Sequence, residues 1–202
     1  IDREGNSNIE EHLLVKFLQK RYSDKVISKA LFELRKAAGD QTHSLYELNK
    51  QVYALLRYGI KVRGEVGEHK QTVWLIDWKN PQKNQFYLAE EVSIQGEHRK
   101  RPDIVLYVNG IALAVLELKK GTVSVEESIR QNIGNQRSTF IQRFFATMQL
   151  ILAGNDTQGL RYGTIETPEK YYLKWKEKGY NNTSEYLLDK HLIQLCEKKR
   201  LL

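Results

Sequence analysis

Residues 101–121 read RPDIVLYVNGIALAVLELKKG, and this stretch decides the fold. Ile104–Val108 and Ile111–Leu118 are apolar runs of strand length separated by Asn109-Gly110, a dipeptide that favours a tight hairpin because both residues accept positive φ. Ile104, Leu106 and Val108 face one side of the first strand, and Val105 and Tyr107 face the other. Strands apolar on both faces sit inside a sheet that helices cover. The far ends of the hairpin are charged. Asp103 opens the first strand, and Glu117 and Lys119 close the second on one shared face. Two carboxylates and an ammonium at the ends of buried strands are costly unless partnered, and a divalent cation would supply one partner.

The register of this hairpin is a test of that idea. A two-residue turn pairs Val108 with Ile111, sets Asp103 opposite Leu116 and turns Glu117 to the other face. A three-residue loop closed by a left-handed Gly110 puts Asp103, Val115 and Glu117 on one face. A shared cation site therefore predicts the bulged loop, or a bulge elsewhere in the hairpin.

Working outward, the N-terminal third reads as helical. Ser7-Asn8-Ile9-Glu10 has capping-box spacing before Leu13, Leu14, Phe17 and Leu18. A second helix is expected from Lys25 to Ala38, with Val26, Ile27, Ala30, Leu31 and Leu34 on one face and Gly39 as its stop. Ser44 to Glu47 is another capping box, leading a stripe of Leu45, Leu48, Val52, Leu55 and Leu56 that ends at Gly59. Strands are expected at Ile60–Val66, Val73–Trp78 and Gln85–Gln95. Beyond the central hairpin, Ser124 caps a helix to about Arg137. Met148–Leu152 and Leu160–Thr164 flank the turn Gly154-Asn155-Asp156, and Pro168–Lys178 and Glu185–Arg200 read as helices. The expected fold is α/β, a central mixed sheet flanked by helices with helical ends, in one domain over residues 1–202.

Composition narrows the function. Lys and Arg number 32 against 25 Asp and Glu, a net +7 that suits a polyanionic partner. Apolar residues at 41% and charged residues at 28% exclude wholesale disorder. The single cysteine, Cys196, rules out an intrachain disulfide and argues against a cysteine zinc site; it is expected to pack as a small apolar residue. No apolar run has membrane-helix length, and the polar opening IDREGNSNIEEH is unlike a secretory leader. A start at Ile1 reads as a fragment of a longer chain. No phosphate loop of the Gly-x4-Gly-Lys-Ser/Thr type occurs, so no ATP chemistry is expected of this chain alone. His12, His43, His69, His98 and His191 have no metal-ligand spacing, and Trp74, Trp78 and Trp175 read as packing residues rather than a stacking platform.

The VNG…ELK segment resembles the nuclease core of the restriction (motor) subunit of type I restriction enzymes. NSNIEEHLL, YALLRYGIKVRGE, LIDWKNPQKNQF and MQLILAGNDTQGLRYGT resemble that family's other landmarks, and CEKKRLL resembles the stretch just before its helicase motor. The resemblance implies the PD-(D/E)xK fold and a cytoplasmic, Mg²⁺-dependent endonuclease, with Mn²⁺ as a substitute. By that resemblance it would cut double-stranded DNA as part of a type I site-specific deoxyribonuclease. Pro102-Asp103 matches the first acidic position and Glu117-Leu118-Lys119 the (D/E)xK. Asp103, Glu117 and the Leu118 carbonyl would hold the cation, and Lys119 would orient the attacking water or stabilise the phosphorane oxygens.

Glu10 matches an acid of the family's first helix that in related nucleases reaches the metal through water; the capping box is its structural alternative. Gln131 falls on the family's Gln-x-x-x-Tyr motif, with Asn135 in place of the Tyr. Gln131 is a candidate contact to DNA or to the active site, and Arg99, Lys100, Arg101, Lys120 and Arg130 are candidate DNA contacts, acting on phosphates without reading sequence. The implied partners are DNA, the methyltransferase and specificity subunits, and the chain's own motor, which would be the only user of ATP; no membrane is implied. A catalytically silent scaffold that docks the motor is the competing reading, and the intact Asp103, Glu117 and Lys119 argue against it.

Overall fold

The computed structural model describes residues 7–63, 70–177 and 184–202. Three helices come first: α1 (Glu11–Leu18), α2 (Asp24–Gly39) and α3 (Leu45–Tyr58). Their apolar stripes, with Leu14, Phe17, Leu18, Ile27, Leu34, Val52 and Leu56, close on one another and on a small antiparallel ribbon of β1 (Ile60–Val62) and β2 (Gln71–Val73). The capping box at Ser44 is formed, with Ser44 Oγ accepting from Glu47 N and the Glu47 carboxylate from Ser44 N. Such a cap contributes about 1 kcal/mol.

The central sheet has six strands in sequential order. These are β3 (Phe86–Glu90), β4 (Ile104–Val108), β5 (Ile111–Leu118), β6 (Leu150–Asn155), β7 (Gly159–Gly163) and β8 (Leu173–Lys174). Only β5 and β6 run parallel, joined by α4 (Val125–Asn135). One face carries Val105, Tyr107, Val115, Ile151 and Ala153 against Val125 and Ile129 of α4 and against Phe144, Phe145 and Met148. The other carries Ala114, Leu116, Leu152 and Leu160 against Leu188 and Leu195 of α5 (Leu187–Leu195), which the short α6 (Lys198–Leu201) follows. The apolar-both-sides reading of β4 and β5 is thus met by helices on each face, as an α/β sheet requires.

Asn109 and Gly110 form the turn at φ 51° and 87°. A Cβ on Gly110 would sit 2.5 Å from the Glu10 carbonyl oxygen, so the position tolerates only glycine. Asn109 is fully buried; its amide donates to Leu75 O and Asn84 Oδ1, and its oxygen accepts from Gln85 N.

Several expectations fail. Ser7 makes no capping box: its hydroxyl bonds to Ile9, which bridges to Ile111, so the chain is drawn into the sheet and α1 starts only at Glu11. Ser124 also lacks a cap bond to the helix backbone and holds Glu126 instead. Val73–Trp78 leaves the ribbon after Val73, because Leu75 and Asp77 are claimed by Asn109 and Asn84. Pro168–Lys178 is a single 3-10 turn and the edge strand β8, paired with β7; Lys178 lies outside the described residues. The last helix breaks at Cys196, where burial holds the thiol pKa above its usual value. Val66 and His69 also lie outside the described residues.

Candidate active site

The hairpin has the tight two-residue turn, with Val108 paired to Ile111, and also carries a bulge. Tyr107 pairs with Ala112, but Leu106 pairs with Ala114, so Leu113 is an extra residue in β5. This one insertion reverses the parity of everything beyond it. Ala112 and Val115, three apart, both face α4. Ile104 opposes Leu116, and one step further Asp103 opposes Glu117. The two acids converge at the end of β5: Asp103 Oδ2 accepts from Leu118 N at 2.7 Å.

Glu117 is fully buried beneath α4. Gln131 and Asn135, one turn apart on that helix, both reach it: Gln131 Nε2 donates to Oε2 at 2.6 Å and Asn135 Nδ2 to Oε1 at 3.3 Å. Gln131 Oε1 in turn accepts from Lys119 Nζ at 2.6 Å. Asn132 fastens the same helix to the sheet by donating to Leu152 O at 2.9 Å. Burial, and then the negative charge of Asp103, push the Glu117 carboxyl up to about 8, against the opposing pull of Lys119 and Lys100. At neutral pH this acid keeps its proton unless more positive charge arrives.

A cation placed between Asp103 and Glu117 would supply that charge. Asp103, Glu117 and the carbonyl of Leu118 offer only hard oxygen donors, the set that suits Mg²⁺ or Mn²⁺ rather than a soft metal. Among the described residues no cluster of three or more His, Cys, Asp or Glu forms a closed metal cage.

Glu10 is not part of this constellation. Its backbone bonds to Gly110 at the turn, and six residues of strand, about 20 Å at ~3.3 Å each, separate Ile111 beside it from Glu117. The bridge that draws Ile9 onto Ile111 fixes it there, so the geometry gives no support to its expected link to the metal. Gln131, read as a contact to DNA or to the active site, lies inside the acid–lysine network. Of the flanking cations, Arg99, Lys100 and Arg101 lie in the segment before β4, Lys120 follows β5, and Arg130 lies on α4. Arg99 donates to Ser93, Lys100 lies 4.1 Å above the Phe140 ring, Arg101 pairs with Glu91, and Arg130 pairs with Glu169. Lys120 is exposed. Asn135, noted in the sequence only as a departure from the resembled motif, is a direct partner of Glu117; its spacing of four from Gln131 is the signal that finds it.

Residues 2–170 match the family described as type I restriction enzyme R protein N terminus. Among similar proteins, the EcoprrI type I restriction enzyme endonuclease subunit of Escherichia coli is 30% identical over 89 residues, 43% of this chain and 28% of the relative. A Methanocaldococcus jannaschii protein provisionally named as such a subunit is 29% identical over 116 residues, 54% of this chain and 10% of the relative. The SauCOLORF180P subunit of Staphylococcus aureus is 24% identical over 107 residues, 52% of this chain and 12% of the relative. The chain therefore spans well under a third of the length of these relatives, and it belongs to the type I restriction enzyme R protein N-terminus family.

Proposed function

We propose that residues 1–202 form a single nuclease unit of a type I restriction subunit that cuts double-stranded DNA with a divalent cation, Mg²⁺ or in its place Mn²⁺. The observation that carries this reading is the Leu113 bulge, which brings Asp103 and Glu117 onto one face beside Lys119. Glu117 is fully buried with Asp103 beside it, a cost that a bound cation offsets.

Asp103 and Glu117, with the Leu118 carbonyl, hold the cation. A cation held there would supply an acidified water and positive charge against the negative charge that grows on the scissile phosphate. Lys119 turns its ammonium toward that phosphate, orienting the attacking water or stabilising the phosphorane oxygens. Gln131 keeps Lys119 and Glu117 in register while the site waits. Arg99, Lys100, Arg101, Lys120 and Arg130 grip the DNA backbone and read no bases, which suits a subunit whose sequence specificity comes from a partner. That partner is the specificity subunit, acting with the methyltransferase subunit, and ATP enters through the helicase motor of the same chain. The setting is cytoplasmic; among the described residues no helix is long and apolar enough to cross a membrane.

The decisive experiment places Asp103→Ala in the assembled enzyme. ATP hydrolysis and translocation continue and cleavage stops. Cleavage that survives the substitution would refute the assignment and return the scaffold reading.

A further inference from the structure

At the other end of the hairpin from Glu117 the surface changes character. Along the exposed side of α3, Tyr46, Lys50, Tyr53 and Arg57 follow one another at spacings of four, three and four, so they form a single stripe. The stripe is about 16 Å long, eleven residues at ~1.5 Å each. Tyr46 and Tyr53 are 57% and 46% exposed, and the cations that alternate with them make the stripe continuous.

The stripe runs into a cleft of about 450 Å³ beside β2. Arg57 lies 5.3 Å over the Trp78 ring, Trp74 is 39% exposed, and Lys79 stands at the rim. Trp74 therefore does not pack away as the sequence suggested. The acids nearby are already engaged: Asp77 is buried and paired with Arg21, and Glu47 closes the helix cap. Among the described residues Lys50, Arg57 and Lys79 form no ion pair, so the surface is aromatic and positive together.

We infer that this stripe and cleft bind single-stranded nucleic acid, with bases stacked on Tyr53 and Trp74 and phosphates on Lys50, Arg57 and Lys79. The row sets Lys50 between Tyr46 and Tyr53 and Arg57 beyond them, a mixture that suits an unstacked strand, in which every base offers a π-face and every linkage a negative charge. A duplex hides its base faces and gains nothing from the rings. Of the lysines only Lys50 lies within the aromatic row; its charge, together with Arg57 and Lys79 in the adjoining cleft, favours a polyanion. The inference does not depend on cleavage at Asp103 and Glu117, which lie at the opposite end of β5.

The test is fluorescence anisotropy of the 202-residue chain with labelled oligo(dT), and with a duplex of equal length, in EDTA. Tyr53→Ala and Trp74→Ala, each checked for an unchanged melting temperature, are expected to weaken oligo(dT) binding roughly tenfold each while leaving duplex affinity within about twofold. Lys50→Glu and Lys79→Glu are expected to weaken it further and to flatten its salt dependence. Unchanged oligo(dT) affinity in both aromatic variants would overturn the inference, even if the chain binds DNA. So would a failure to bind oligo(dT), or a protein partner that covers Trp74 and is not displaced by the oligonucleotide. Asp103→Ala separates the two surfaces: it leaves oligo(dT) binding intact whatever it does to cleavage.

Discussion

Lys119 and Glu117, two residues apart on one strand face, are joined through Gln131. The lysine ammonium donates to the amide oxygen and the amide nitrogen donates to Glu117, each at 2.6 Å. A neutral side chain thus relays between a base and a buried acid and keeps them from collapsing into a direct ion pair. Gln131→Ala should cut cleavage by the assembled enzyme at least ~10-fold, the scale of losing one positioning hydrogen bond at a reacting centre. Gln131→Glu should be worse, because a third carboxylate repels Glu117 and captures Lys119. Single-turnover cleavage rates decide; Gln131→Ala with wild-type rates would remove Gln131 from the mechanism.

Glu117→Gln is expected to abolish cleavage, by ~10³-fold or more, while leaving the apo fold at least as stable as wild type. The substitution removes a buried charge site, keeps its shape and keeps one acceptor for the Gln131 or Asn135 amide. Urea denaturation of the chain, alongside cleavage by the assembled enzyme, checks both halves. A large destabilisation would mean that Glu117 is structural.

The pH dependence follows from the same acid. Its carboxyl titrates near 4.5 when unfolded and at about 8 when folded, so between those values the folded chain holds more protons than the unfolded one. The resulting stability is fully present below the unfolded value and is lost as pH rises through about 8. The melting temperature of the metal-free chain should fall from pH 5 to pH 8.5, and the Glu117→Gln variant should lose that part of the slope. Adding Mn²⁺ should restore stability most at the alkaline end, with protons released on binding. Calorimetry in buffers of different ionisation heat reads that release directly.

Gly110→Ala should destabilise the fold by about 2 kcal/mol or more, because the residue sits at φ 87° and a Cβ would press on the Glu10 carbonyl oxygen. Chemical denaturation measures it. A loss under half that size would show that the N-terminal segment yields to the turn.

Parity was the most informative thing in the sequence. Asp103 and Glu117 can share a face only if the hairpin carries an odd residue, and the structure supplies it at Leu113. Its position was not legible because Ala112, Leu113, Ala114 and Val115 are all apolar, so the period-two pattern has no polar marker to show where it slips. The capping boxes divide for a similar reason. Ser44 and Glu47 face water and close on each other, whereas Ser7 precedes Ile9, whose pairing with Ile111 decides the local backbone. Val73–Trp78 has a strand's composition, but buried amides of Asn84 and Asn109 bind its backbone first. Asn135 stood out in the sequence only as a departure from the resembled motif; its spacing of four from Gln131 puts it on the same helix face, and the burial of Glu117 makes it a partner.

The bulged hairpin has a kinetic side as well. Asp103 and Glu117 are fourteen residues apart in one continuous ribbon whose turn is preset by Asn109 and Gly110. Bringing them together requires closing only a short loop, an event of microseconds in a polypeptide of this kind. The two acids therefore meet early, before the crossover through α4 delivers Gln131 and Asn135. During that interval a nascent chain holds two like charges side by side with no shield. A divalent ion present during folding would then act as a nucleating guest, speeding the ribbon's formation, and metal-free refolding would be the slower of the two.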